Sequence, residues 1–318
     1  MVNLCRKFQE LMHRACKKSQ GELILLSGGL DSSILLHYIH PREAVTISIN
    51  PYSSDYLYSA IIAKRYPINH HIVMPNMEVI LENLEELVRD FKTFDPIFLK
   101  NSVVQLLGFK EAKRLNANTI SLGDGADELF GGYNFLSKYL NSPEILQSKL
   151  NEIAQNMEFV SFKFSKKYNI GISTPFLDDA IIKFSQSLAV NDKIAVHKGV
   201  IYGKFFLRSC FRELLGDEIA WRRKEALESG SGVNKILPYL EQRITGQDFV
   251  EGSRKAQNEG VLIRTKEHMF YYQLYRKFFD PPNHQICDQP EKCKRCPSCN
   301  AIFIWNGSFC KICGAYPV

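Results

Sequence analysis

The sequence predicts an α/β protein with a parallel sheet flanked by helices, a helical second half and a small cysteine-rich module at its carboxyl end. Short continuous apolar runs alternate with helical patterns up to about residue 122, and this alternation predicts a buried parallel sheet. Two of the runs lead directly into glycine-rich loops. Prolines at 281 and 282, followed by six cysteines in the last 32 residues, predict a separate module.

The individual elements follow from these patterns in order. At the N-terminus, Leu4, Phe8, Leu11 and Met12 recur at helical spacing among charged residues, which predicts an amphipathic helix and not a signal peptide. The predicted strands are 22–26, 44–49, 70–74 and 118–122. The predicted helices between them are 32–39, 56–65, 79–91 and 103–115, and beyond 132 the spacing is helical almost throughout, up to about 279.

Composition sets limits on organisation and partners. We expect an N-terminal helix at 1–20, one large domain at 21–280 and a ribbon at 285–318. The net charge of +6 permits a phosphate-rich or nucleic-acid ligand without requiring one. No apolar run approaches the roughly 20 residues that a membrane-spanning helix needs. We therefore expect a cytoplasmic protein with no membrane partner.

The first glycine-rich loop lies in LILLSGGLDSS, residues 23–33. A glycine pair between a parallel strand and a helix directs backbone N–H groups toward one point, which attracts an anion such as phosphate. Asp31 would be unfavourable there unless a cation such as Mg²⁺ lay between it and the phosphates. The loop lacks the Gly-Lys-Ser/Thr ending of a Walker A motif. The alternative is a tight turn with a serine helix cap.

The second loop, SLGDGADELFGGY at 121–133, follows the fourth predicted strand. Asp124, Asp127 and Glu128 would repel one another unless a cation or basic group neutralised them. The segment therefore indicates a metal or reaction site, and the alternative is an acidic helix N-terminus stabilised by the helix dipole.

These residues resemble a known family. The first loop is similar to the pyrophosphate loop of N-type ATP pyrophosphatases, and the second is similar to the asparagine synthetase signature. Further matches, in order, cover about residues 20 to 235: Asp55, Pro175 to Asp178, Lys204 before Leu207 and Arg208, and WRRKEALESGSG from Trp221 to Gly232. The resemblance implies an adenine nucleotide alpha hydrolase-like, Rossmann-related fold that uses ATP to adenylate an oxygen.

The resemblance also implies residue roles. Asp31 and Asp127 would hold Mg²⁺, and Lys224 would neutralise charge on the pyrophosphate leaving group. Lys204 would be a second cationic contact. Asp124 would assist proton transfer in place of the family's glutamate, although its side chain is one methylene shorter. The ATP-binding residues would be Leu26, Ser27, Gly28, Gly29, Leu30, Asp31, Ser32, Ser33, Ser48 and Gly123.

Two departures from the family pattern change the expected substrates. The first loop begins too early to leave room for a glutaminase domain, so we expect nitrogen from free ammonia, a separate glutaminase or an amine on the substrate. The segment 94–101 carries Ile97, Phe98 and Lys100 where the synthetases place threonines and an arginine that hold aspartate. Apolar groups would leave a second carboxylate without partners, which predicts a substrate other than aspartate.

The carboxyl-terminal cysteines form two CxxC pairs ten residues apart, and this spacing predicts a structural zinc ribbon with Cys296, Cys299, Cys310 and Cys313 as ligands. The pattern leaves open whether Cys287 and Cys293 are free thiols or whether Cys293 and Cys296 form an alternative pair. The ribbon could be a docking module, or its basic residues could contact RNA phosphates.

The sequence therefore predicts an ATP- and Mg²⁺-dependent ligase that adenylates a carboxylate of an unknown small molecule for attack by ammonia or an amine. The first alternative is an enzyme that adenylates a base carbonyl of tRNA, with the ribbon binding the tRNA. Sulfur insertion is disfavoured for it, because no core cysteine lies beside either loop to carry a persulfide, and Cys210 is the only core candidate. The second alternative is a non-catalytic ATP- or RNA-binding protein, and the presence of Asp31, Asp127 and Lys224 together argues against it.

Overall fold

The computed structural model describes residues 2–19, 21–284, 293–304 and 309–317. The chain forms two compact units, of which the first comprises Met1–Met74 and Leu107–Ala226 and the second comprises Pro75–Leu106 and Leu227–Val318. These units cross the predicted segment boundaries, because residues 75–106 join the carboxyl-terminal part of the chain and not the sheet.

The first unit is built on a five-stranded sheet with the order β3-β2-β1-β4-β5, in which all neighbouring strands are parallel. This architecture confirms the predicted fold class. Its strands are β1 Leu23–Leu25, β2 Glu43–Ile47, β3 Asn69–Val73, β4 Thr119–Ser121 and β5 Gly171–Ser173. The fifth strand lies within the stretch predicted to be helical, and that prediction is wrong there. Three residues that begin with a glycine carry too little periodicity to be distinguished from a loop.

A two-stranded antiparallel hairpin, β6 Ile194–His197 and β7 Val200–Gly203, also belongs to the first unit and replaces predicted helix. A second short hairpin, β8 Cys293–Arg295 and β9 Ile302–Ile304, lies in the second unit.

The α-helices cover most of the remaining described residues. In chain order they are α1 Val2–Lys18, α2 Leu30–Ile39, α3 Ser54–Ala63, α4 Met77–Phe91, α5 Pro96–Arg114, α6 Ala126–Phe130, α7 Pro143–Gln155, α8 Val160–Tyr168, α9 Asp179–Ser187, α10 Val190–Lys193, α11 Phe205–Leu215, α12 Asp217–Ala220, α13 Leu227–Gly230, α14 Ile236–Arg243, α15 Gly246–Asn258 and α16 Lys266–Arg276. None of them has the combination of length and apolar character needed to cross a bilayer.

The core of the first unit includes the amphipathic helix predicted at the N-terminus. Phe8 of α1 is fully buried, and its ring lies 5.2 to 6.1 Å from a set of aromatic rings on α6, α9 and α11. The members of that set are Phe130, Phe184, Phe206 and Phe211. A disulfide between Cys5 and Cys210 joins α1 to α11 covalently. Cys210, the core candidate for sulfur chemistry, is therefore not a free thiol.

Candidate functional site

The first loop connects β1 to α2 and requires glycine at its centre. Gly28 has φ of +65°, a backbone conformation that residues other than glycine adopt only at an energetic cost. A Cβ at this position would lie 2.2 Å from the backbone carbon of Tyr58 in α3. The loop is closed by its own serine, because the Gly29 N–H donates to Ser27 Oγ at 3.2 Å. The backbone of the first loop at Gly28 therefore packs directly on the backbone of α3.

The second loop follows β4 and lies against the first. A Cβ on Gly123 would contact the Asp31 Cβ at 3.0 Å, so the backbone of the second loop packs directly on this carboxylate residue. A Cβ on Gly132 would collide with both the Asp127 carboxylate and the Lys204 side chain. The glycines of both loops therefore provide the space in which the charged groups meet.

Two lysines neutralise the two predicted metal carboxylates. Lys204 Nζ lies 2.5 Å from Asp31 Oδ2 and 2.7 Å from Asp127 Oδ1, and Lys224 Nζ lies 2.9 Å from Asp127 Oδ2. The Lys204 side chain is only 3% exposed, whereas that of Lys224 is 32% exposed. The four residues come from α2, α6 and the segments before α11 and after α12, and the structure brings all of them together.

The charges in this cluster stabilise one another. Burial alone would raise the pKa of Asp127, but the Lys204 and Lys224 ammonium groups outweigh it and hold that pKa well below its usual range. Burial would likewise lower the pKa of Lys224, and the carboxylates of Asp127 and Asp31 reverse the direction and raise it. Asp127 and Lys224 are therefore both ionised at neutral pH.

A buried acceptor in this cluster has no protein partner. Among the residues that the structure describes, Asp31 Oδ1 accepts no hydrogen bond, although it is buried. A buried carboxylate oxygen without a partner is costly, and an oxygen ligand of this kind suits Mg²⁺. Asp127 already binds two ammonium groups, but its oxygens retain further lone pairs. Both residues thus fit the Mg²⁺ implied by the first loop.

Asp124 lies in a different environment from the other two aspartates. Ser161 Oγ of α8 donates a hydrogen bond to Asp124 Oδ2 at 2.5 Å. Burial raises the pKa of Asp124 to about 6, because the Ser161 hydrogen bond only partly compensates and the nearby Glu128 carboxylate adds repulsion. Nothing in the sequence indicated Ser161, since a lone serine in a helix carries no motif.

The predicted nucleotide-binding positions lie at the carboxyl ends of adjacent strands. Leu26, Ser48 and Gly123 follow β1, β2 and β4, which are neighbours in the sheet. Ser48 is fully buried, and its hydroxyl group donates to the Asn50 carbonyl oxygen at 2.7 Å. In open parallel sheets this edge is where ligands bind.

An ion pair that the sequence motifs did not reveal supports the first loop. Arg222 Nη2 lies 2.7 Å from Asp55 Oδ1, and Arg222 Nη1 donates to the Ser27 carbonyl oxygen at 2.8 Å. Burial raises the pKa of Asp55 to about 6, although Arg222 opposes the shift. Arg208 in turn donates to the Arg222 carbonyl oxygen at 2.8 Å. Arg222, which Arg208 holds in turn, is therefore fixed to the first loop.

Comparison with known proteins places this chain in a family. The family model described as asparagine synthase matches residues 5–169 and 165–292, which is most of the chain. The chain belongs to the asparagine synthase family. Among its relatives, asparagine synthetase B of Escherichia coli is 23% identical over 312 residues, which cover 91% of this chain and 55% of that protein. The Gallus gallus asparagine synthetase is 27% identical over 278 residues, which cover 80% and 48%.

This asparagine synthase family member spans about half the length of the curated relatives that it matches. Both relatives named above are described as glutamine-hydrolysing. Among solved structures, the ammonia-dependent NAD synthetase of Campylobacter jejuni has a TM-score of 0.30 and 14% identity, covering 58% of this chain and 91% of that one.

The segment 94–101, which the family resemblance predicts to hold the substrate, has its residues in the second unit. Ile97 is 64% exposed at the beginning of α5. Lys100 points inward instead, where its Nζ lies 3.1 Å from Glu267 Oε1 and both side chains are less than 10% exposed. Tyr271 Oη donates to the same carboxylate at 3.2 Å. The cation at the family's arginine position is therefore neutralised within the protein.

The four predicted zinc-ligand cysteines also converge in the second unit. Cys296, Cys299, Cys310 and Cys313 are fully buried, and their sulfur atoms all lie within 4.8 Å of one another. These four, without Cys293, form the group, so the alternative pair is not used. Cys287 lies outside the described residues.

Proposed function

We propose that this member of the asparagine synthase family uses ATP to activate an oxygen, preferably a carboxylate oxygen, of a small molecule. In the first step the oxygen attacks the α-phosphorus of ATP, and pyrophosphate leaves. In the second step ammonia or an amine attacks the activated carbon, and AMP leaves with the former carboxylate oxygen. The observation that carries the proposal is the pairing of Asp31 and Asp127 with Lys204 and Lys224 beside the glycine loop.

Each group of the site has a separate role in the first step. The backbone N–H groups at the start of α2 would bind the phosphates. Lys224, the more exposed of the two lysines, offsets the negative charge that grows on the departing pyrophosphate. Lys204 holds the two aspartates at a fixed separation. Asp31 and Asp127 would hold Mg²⁺, which supplies further charge neutralisation for the phosphates.

Asp124 is the proposed proton acceptor of the second step. A nitrogen nucleophile must lose a proton as it forms the new bond, and an acceptor works best with a pKa near the working pH. Burial raises the pKa of Asp124 to about 6, which brings it close to that condition. An intervening water or a larger substrate compensates for a side chain that is one methylene shorter than that of glutamate.

The substrate is proposed to differ from aspartate. Glu267 neutralises Lys100, so the segment offers no free cation at the position where the synthetases use an arginine. Ile97 and Phe98 offer no hydrogen bond from their side chains. We therefore propose an acid whose remaining surface is apolar, with free ammonia, an amine of the substrate or a separate glutaminase as the nitrogen source.

The cysteine group is proposed to bind one structural zinc ion. The alternative in which a tRNA carbonyl is activated is not favoured, because the family and the relatives reported above are those of asparagine synthesis. The alternative of a non-catalytic binding protein is not favoured either, because a protein that only bound ATP would not need two aspartates paired with two lysines.

The test follows pyrophosphate release from ATP labelled at the γ-phosphate, with Mg²⁺, ammonium and a fractionated small-molecule extract. We expect release to depend on one fraction and to be lost in the Asp31→Asn variant, whose side chain has almost the same shape. Lys64→Gln, an exposed residue of the same unit, is the control. Release that survives Asp31→Asn would contradict the role of Asp31, and release that requires RNA would favour the tRNA alternative.

A further inference from the structure

The two CxxC segments of the second unit, residues 296–299 and 310–313, are called the first and second knuckles. The second knuckle is hydrogen-bonded to the chain immediately before α5. The Thr93 hydroxyl donates to the carbonyl oxygens of Lys311 at 2.8 Å and Ile312 at 3.1 Å. The Phe94 backbone N–H donates to the Ile312 carbonyl oxygen at 2.8 Å. Both accepting carbonyls lie between two of the cysteines, Cys310 and Cys313. The substrate-side segment 94–101 therefore begins on the metal knuckle itself.

Close packing of Gly314 on Asp95 also holds the second knuckle against the start of α5. A Cβ on Gly314 would lie 2.4 Å from Asp95 Oδ1, so the knuckle approaches Asp95 as only glycine allows, and Gly314 has φ of +69°. Asp95 is buried, and its Oδ1 accepts from the Ile97 N–H at 2.9 Å, which is the capping bond of α5. The knuckle thus supports the residue that starts the helix of the substrate-side segment.

Additional bonds fix the cysteine module to the same unit. Arg264 donates to the carbonyl oxygens of both Gly314 and Cys313. On the first knuckle, the Leu262 N–H donates to the Ser298 carbonyl oxygen at 2.7 Å. Because the bonds involve both knuckles, the module has a defined orientation on the unit.

The sulfur geometry matches a tetrahedral metal site. The Cys296 and Cys313 sulfurs are 3.8 Å apart, as are those of Cys299 and Cys310. Two sulfurs bound at about 2.3 Å to one tetrahedral zinc ion lie about 3.8 Å apart. Small cysteine modules with such a site generally depend on the ion for their shape.

We propose that the zinc ion at the four cysteines positions the substrate-side segment 94–101 through the knuckle carbonyls that Thr93 and Phe94 bind. The proposal rests on the proposed function for the assignment of that segment to the substrate. In this arrangement the zinc ion acts as a positioning element and contacts neither ATP nor the reacting atoms. Its removal should release the start of α5 before it affects the sheet of the first unit.

Hydrogen exchange measured by mass spectrometry tests this directly, with the full chain and no substrate. Zinc content is measured first, and one zinc per chain is expected. After chelation, we expect exchange in the peptide covering 93–101 to accelerate at least tenfold, while a peptide of the first unit that contains β4 changes less than twofold. Restoring zinc should restore the slow exchange.

A pair of variants separates positioning from general instability. Thr93→Val keeps the shape of the side chain but removes the donor, and Thr93→Ser keeps the donor. We expect both to retain one zinc per chain, with faster exchange of 93–101 only in Thr93→Val. The exposed Lys294→Ala on β8 should behave as wild type. A chain purified without zinc, an unchanged 93–101 peptide after chelation, or equal exchange in the two Thr93 variants would overturn the proposal.

These outcomes do not depend on catalysis. If pyrophosphate release fails under every condition but zinc removal still accelerates exchange at 93–101, the proposed function is wrong and the structural coupling stands. If release is found but zinc removal does not change exchange at 93–101, the proposed function stands and the structural coupling is wrong.

Discussion

Lys204 lies 2.5 Å from Asp31 although 173 residues separate them in the chain. The same ammonium group lies 2.7 Å from Asp127, so a single buried lysine holds together the two loops that follow β1 and β4. The backbone at Lys204 itself has a left-handed conformation, with φ of +55°. Such a conformation costs of order 1 kcal/mol or more for a residue with a side chain, and the two ion pairs offset that cost.

Replacing Lys204 by Met should therefore destabilise the first unit. The change leaves two partly buried carboxylates facing each other with only Lys224 nearby, and loss of one member of a buried pair costs about 3 kcal/mol. Chemical denaturation measures the change in free energy of unfolding. The double variant Lys204→Met with Asp127→Asn should recover about half of the loss, because one of the facing charges is removed. A single-variant loss below about 1 kcal/mol would show that the bridge contributes little.

Lys224 allows activity to be tested separately from stability. Its side chain is 32% exposed, so Lys224→Gln should change the free energy of unfolding by less than about 1 kcal/mol. Pyrophosphate release should nevertheless fall about 10² to 10³-fold, as is usual when a group that stabilises developing charge is removed. The neighbouring exposed Arg223→Gln is the matched control and should retain release. Equal losses in both variants would point to a general charge effect and not to a role of Lys224.

The two glycine-rich loops pointed to Asp31 and Asp127, whereas Lys204 and Lys224 were named through the family resemblance. Asp31, Asp127, Lys204 and Lys224 could all be named from the sequence alone. The hydrogen-bond partner of the nearby Asp124 could not be named, since Ser161 contacts it from a helix with no motif. Side-chain contacts between distant elements leave no periodic signal in one sequence.

Backbone-mediated contacts were the least predictable part. The apolar pattern indicated a helix from 103, whereas α5 begins at Pro96 because Asp95 caps it. The docking of the second knuckle on Thr93 uses carbonyl oxygens, which every residue type possesses. The spacing of the cysteines therefore predicted which four of them converge, but not the surface on which they rest.

Asp124 should give the unfolding free energy a characteristic pH dependence. Burial raises its pKa from 3.8 to about 6, so the folded state binds this proton more tightly than the unfolded state does. The stability contributed by this proton is complete below about pH 4 and is lost as the pH rises through 6. The Asp124→Asn variant, which can still accept from Ser161, lacks this dependence.

We therefore expect the stability of wild type relative to Asp124→Asn to fall between pH 4 and pH 7 by on the order of 2 kcal/mol. Denaturation of both proteins across that range measures the difference and cancels the other titrating groups. A difference that stays constant with pH, or that grows in favour of wild type as the pH rises, would show that the pKa of Asp124 is not raised.

The pair between Lys100 and Glu267 yields a prediction about both stability and specificity. Both side chains are less than 10% exposed, and burial raises the pKa of Glu267 although Lys100 opposes the shift. Glu267→Gln leaves Lys100 buried without its counter-charge and should cost about 3 kcal/mol. Adding Lys100→Met, which removes the orphaned charge, should recover most of that loss in denaturation experiments.

Specificity follows from the same pair, because Lys100 cannot bind a substrate carboxylate while Glu267 neutralises it. We expect wild type to form no asparagine above background from aspartate, ammonium, ATP and Mg²⁺, as measured by amino-acid analysis. The Lys100→Met variant with Glu267→Gln should not gain this activity either, since it adds no free cation. Steady production of asparagine by wild type would show that the ion pair opens for aspartate, and the assignment of an apolar acid as substrate would then be wrong.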